Sequence, residues 1–75
     1  MNKNVMDLLY AFGSQHNIKI RGEGQSGRYT VNGTVHSVGR EDGSGVRFNV
    51  VVANSLGYNS IFLDCDNPLH KVSLA

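Results

Sequence analysis

The chain has 75 residues, 40% of them hydrophobic, with seven basic against six acidic side chains and a formal net charge of +1. That hydrophobic share excludes a disordered segment, and the near-neutral charge excludes the strong basic field of a general nucleic-acid coat. The length fits one small domain, residues 1–75, whose thin core would gain from oligomerisation. The single cysteine, Cys65, rules out an intrachain disulfide. No apolar run approaches the roughly 18 residues of a membrane-spanning helix. The first twelve residues lack the apolar core and cleavage site of a signal peptide. The expectation is a reducing, cytoplasmic location.

Val5, Leu8, Leu9 and Phe12 fall at i, i+3, i+4 and i+7, which predicts an amphipathic helix with those four on its buried face. Asn4 is the expected N-cap and Gly13 the expected C-terminal stop. Residues 17–21 read as a short strand with Ile18 and Ile20 on one side and Lys19 and Arg21 on the other. GEGQSG (22–27) reads as a mobile polar loop.

Residues 28–38 form the longest strand candidate, with Tyr29, Val31, Gly33 and Val35 sharing a face. Gly33 marks a bend or bulge. GREDGSG (39–45) is a turn signal. Residues 46–53 follow as a strand with Val46, Phe48, Val50 and Val52 inward. NSLGYN (54–59) reads as a loop, a hairpin connection between two strands. Residues 60–65 alternate Ile61, Leu63 and Cys65 against Phe62 and Asp64. Asp66, Asn67 and Pro68 read as a turn. Residues 70–74 read as a last strand, with Val72 and Leu74 inward.

The segments VNGTVHSV (31–38), FNVVV (48–52) and SIFLD (60–64) resemble the Sm-like pattern: a glycine-centred strand, a turn, then an Asn-apolar strand. The order of elements is similar to that family as well. The acidic residue usual after the glycine strand is replaced by Gly39 or displaced to Glu41 and Asp42, and the bacterial members' Tyr-Lys-His signature is absent. The resemblance implies an α+β fold in which an N-terminal helix precedes a five-stranded, strongly bent antiparallel SH3-like or Sm-like barrel. It also implies a homo-oligomer.

Chemistry-bearing patterns are few. Cys65 and His70 lie near Asp64 and Asp66, but no paired ligand spacing is present, so no metal site is expected. No serine or cysteine sits in a recognised nucleophile frame, so no catalytic residue is assigned and an enzyme is not expected. Gly22, Gly24 and Gly27 match a dinucleotide spacing, yet a strand follows where a helix N-terminus is needed, so no cofactor is expected.

Binding is the better reading. Lys19, Arg21, Arg28 and Arg47 fall in or beside the first three strands and are expected to converge on the backbone of single-stranded RNA or DNA. Tyr58 and Phe62 would stack on unpaired bases, and His36 would supply a polar contact. The alternative is a small protein-binding inhibitor or adaptor, of phage or mobile-element type, occluding a surface of a larger protein machine. Met6, Tyr10, Leu56, Tyr58 and Phe62 would carry that contact.

Overall fold

Asn2 opens the chain's one helix in the computed structural model, which describes residues 2–75. Its side-chain oxygen accepts from the amides of Asn4 and Val5 at 2.8 and 3.3 Å, so the N-cap lies two residues before the expected Asn4. Helix α1 (Lys3–Ser14) passes through Gly13 and ends at Gln15, whose left-handed backbone (φ 56°) sends its amide back to Ala11. Gln15 Nε2 also donates to the Phe12 carbonyl, so a side chain helps hold this terminus where glycine was expected to stop it.

Five strands follow: β1 (Ile18–Gly24), β2 (Gly27–Arg40), β3 (Arg47–Asn54), β4 (Gly57–Asp64) and β5 (Lys71–Leu74). They form one antiparallel sheet in the order β4-β3-β2-β1-β5. The α+β class and the element order are as expected. The sheet is not a closed barrel: β4 and β5 are its two edges and do not pair with each other. Strand β5 has four residues and is occupied with β1.

Strand β2 serves both halves of the sheet. Its first half pairs with β1, and from Thr34 onward it pairs with β3. Gly33 stands at the switch with φ +155°, and a Cβ there would collide with the Ala53 carbonyl oxygen. Only glycine fits both conditions. The register shifts between Val35 and Ser37, leaving His36 as the extra residue of a bulge.

The expected mobile loop is a tight hairpin, and the expected hairpin connection is shorter than its six residues. GEGQSG is mostly ladder: Gly24 pairs with Gly27, and Gln25 and Ser26 alone make the turn. NSLGYN likewise reduces to Ser55 and Leu56 between paired Asn54 and Gly57. Glycines at the strand ends supply the positive φ these turns require, at Gly27 (109°) and Gly57 (116°).

Both halves of the sheet turn their apolar sides onto a common core. Ile18, Ile20, Val35, Val50, Val52, Leu63 and Val72 are fully buried there together with Leu8. Burial of each such side chain contributes about 1.5–3 kcal/mol. The helix buries Val5, Leu8 and Ala11, not the expected Leu9 and Phe12. Leu74 is half-exposed, whereas it was expected inside.

Two asparagines at the start of the helix tie it to the sheet: Asn2 Nδ2 donates to the Cys65 carbonyl at 3.0 Å and to the Asp66 carboxylate at 2.9 Å, and Asn4 reaches further. Asn4 Nδ2 lies 3.3 and 3.2 Å from the carbonyls of Cys65 and His70, and its Oδ1 accepts the Val72 amide at 3.1 Å. Among the described residues, no helix is long and apolar enough to cross a membrane.

Candidate nucleic-acid interface

Side-chain alternation sets the candidate surface. In β1, Ile18 and Ile20 are buried while Lys19, Arg21 and Glu23 are exposed. Register extends this outer face across three strands. Arg21 lies opposite Lys71 of β5 and Thr30 of β2; Lys19 lies opposite Ser73 and Asn32; Glu23 lies opposite Arg28. Neighbouring strands are about 4.8 Å apart, and same-face residues along a strand about 6.7 Å. Lys19, Arg21, Arg28 and Lys71 therefore share one face with a single carboxylate, Glu23.

Among the described residues these four cations form no ion pair; the salt bridges there are Lys3–Asp7, Arg47–Asp42 and Arg47–Asp64. A groove of about 310 Å³ runs along this face, lined by Arg21, Glu23, Arg28, Tyr29, Leu69 and Lys71. The Tyr29 ring lies over Gly22, where any Cβ would strike its hydroxyl. That hydroxyl donates to the Phe62 carbonyl at 3.3 Å, and burial raises its pKa above the ordinary tyrosine value.

The expected fourth cation stands elsewhere. Arg47 lies on β3, 2.6 Å from the Asp42 carboxylate and 3.7 Å from that of Asp64. Its role is local: Asp42 also accepts from the Ser44 side chain and amide, and together with Arg47 these hold the carboxyl at about 2. The Arg47 guanidinium is in turn raised by its bond to Asp42. Arg47 thus pins the 41–46 loop, and the basic face takes Lys71 in its place. Sequence reading passed over Lys71 because only the β1–β5 register brings it beside Arg21.

The remaining candidates divide between other surfaces. His36 and Tyr58 meet with ring centroids 4.8 Å apart, on the half of the sheet built by β2, β3 and β4. Neither lines the basic groove. Phe62 does come near it, lining a second groove of about 340 Å³ with Glu23, Tyr29, Ser60 and His70. Met6 and Tyr10 lie on the outer side of α1 with Leu9 and Phe12, all between 39% and 56% exposed. Leu56 is 91% exposed at the β3–β4 turn and does not join that helix surface.

Cys65 is buried. Burial, then the charges of Asp64 and Asp66, push its thiol up to about 11, so at neutral pH it is a protonated core group and no nucleophile. Among the described residues, no cluster of three His, Cys, Asp or Glu side chains is placed to hold a metal ion. Comparison with family models, curated proteins and solved structures finds no match for this chain.

Proposed function

We propose that this chain is a non-enzymatic regulator that binds single-stranded RNA or DNA through the outer face of β5, β1 and β2. The observation that carries this reading is the grouping of Lys19, Arg21, Arg28 and Lys71 on one face, free of ion pairs. Local grouping matters because the net charge is only +1. Four cations resting on a single strand displace counterions with a slope of about −0.7 per phosphate, or about −3 in all. Strand order and the conformation of Gly33 support the likeness to Sm-like and SH3-like barrels, which carries with it the reading of a homo-oligomer.

The test is fluorescence anisotropy of labelled single-stranded oligonucleotides at about 50 and about 200 mM salt, between which affinity should fall about fiftyfold for that slope. Absence of binding at tens of micromolar protein rejects the proposal.

A second reading rests on the outer side of α1. Met6, Leu9, Tyr10 and Phe12 form an exposed apolar face, of the kind by which a small inhibitor or adaptor docks on a larger protein. Met6→Ser with Tyr10→Ser should abolish capture of such a partner while the fold persists. Intact capture by the double variant rejects this reading.

A further inference from the structure

The second groove lies where the sheet fails to close, between the free edge of β4 and the β1–β2 hairpin. Its wall includes Gly24 and Ser26 of the hairpin, Tyr29, and Ser60 to Phe62 of β4. It shares Glu23 and Tyr29 with the basic groove. His70, on its rim, is flanked in sequence by Leu69 and Lys71 of that same basic groove.

His70 is only 6% exposed. Its Nδ1 accepts the Asp64 amide at 3.0 Å, which places the ring proton on Nε2. Among the described residues Nε2 has no hydrogen-bond partner, yet it is not sealed inside, since no side-chain nitrogen or oxygen is both buried and unpaired. A mostly buried imidazole lining the groove therefore keeps an N–H that no protein group accepts among the described residues.

The β4 edge adds to this. In an antiparallel strand the N–H and C=O of one residue point to the same side. Tyr29 takes the Phe62 carbonyl and His70 takes the Asp64 amide, so the even-numbered residues of β4 face away from β3. Among the described residues, the Ser60 amide and carbonyl and the Phe62 amide have no partner on that side. An extended peptide strand would need successive edge groups, and two of them are already capped. A small planar group needs only the free ones.

Charge selects the occupant. No lysine or arginine lines the groove, and its one acidic side chain is Glu23. A phosphate would be repelled, whereas the N–H groups of a neutral heterocycle would be accepted. We infer that this groove holds one unpaired nucleobase of the strand whose phosphates rest on Arg21, Arg28 and Lys71. The base stands against Tyr29, takes the His70 Nε2–H, and pairs with the Ser60 and Phe62 edge.

This inference rests on the nucleic-acid reading, and its test separates the two. Wild-type protein is titrated with a single-stranded oligonucleotide and with an abasic strand of equal length. The abasic strand should bind about tenfold or more weakly with an unchanged salt slope, because stacking and edge contacts are lost while phosphates remain. His70→Asn keeps an acceptor for the Asp64 amide but deletes the Nε2–H. It should weaken the ordinary strand about three- to tenfold and the abasic strand not at all. Equal affinity of wild-type protein for both strands overturns the base site and leaves the basic face standing. Failure to bind either strand overturns both. The wild-type comparison decides the matter even if the His70 variant does not fold.

Discussion

Asn4 Oδ1 accepts the Val72 amide at 3.1 Å, tying the first turn of the helix to the last strand. The same side chain donates to the carbonyls of Cys65 and His70. Removing it leaves the His70 carbonyl and the Val72 amide without their partner, while the Cys65 carbonyl keeps Asn2 Nδ2 at 3.0 Å. Asn4→Ala should cost about 2–3 kcal/mol, several times a single exposed hydrogen bond. Urea unfolding would read this as a lowered midpoint at constant m-value. A loss under about 0.5 kcal/mol would show that water replaces the side chain without penalty.

Two glycines should respond in opposite directions. Gly33→Ala places a Cβ against the Ala53 carbonyl at a φ of +155° and should destabilise by more than about 2 kcal/mol. Gly13 lies in the helix with open space around its Cα. Gly13→Ala should stabilise by about 0.5–1 kcal/mol. Thermal melts of the two variants beside wild type would check both signs.

The basic face makes a graded prediction. Arg21→Ala, Arg28→Ala and Lys71→Ala should each weaken single-strand binding across sequences and reduce the salt slope by about 0.7. Arg47→Ala should leave that slope unchanged, because its guanidinium is engaged with Asp42 and Asp64. A slope lowered as much by Arg47→Ala as by Arg21→Ala would place the strand on a different face.

The Asp42 carboxyl sits at about 2 in the folded chain, below its ordinary value of 3.8. A depressed folded pKa means that the unfolded chain takes up this proton first. The stabilisation is complete above 3.8 and is lost as pH falls to about 2. Acid titration followed by amide NMR should show the 41–46 loop losing its Ser44 and Arg47 bonds in that window. Asp42→Asn should remove the transition.

Cys65 should resist alkylation in the native protein at pH 8. Its thiol is buried and titrates at about 11, where an unfolded thiol titrates near 9.0. Stability contributed by the raised value is present below 9.0 and is lost between 9.0 and about 11. Labelling should therefore track unfolding, and rapid modification under native conditions would contradict this burial.

Strand alternation was legible wherever one face is buried. Phe48, Val50 and Val52, and Ile61 and Leu63, carry a period of two that leaves their pairing little freedom. The helix itself was legible, but not its inner face. Residues 5–12 are apolar on more than half the circumference, so periodicity alone does not choose Ala11 over Leu9 and Phe12. GEGQSG read as a mobile loop, and NSLGYN as a longer hairpin connection, because composition does not show where strand ends meet at a two-residue turn. The basic face was legible in Lys19, Arg21 and Arg28, which are close along the chain. Lys71 and His70 enter the two grooves through long-range register, for which no local signal exists.

The strand order also carries a schedule. Three of the four joints in the sheet link consecutive strands, while the fourth sets Ile18 beside Leu74. Closing that span costs more chain entropy than closing a two-residue turn. Strands β1 to β4, joined by short connections, can therefore pair before β5 docks. Until it does, the Ile20 flank lacks Val72 and Asn4 lacks its Val72 and His70 partners. An uncovered β1 flank is open to pairing with a neighbouring chain instead.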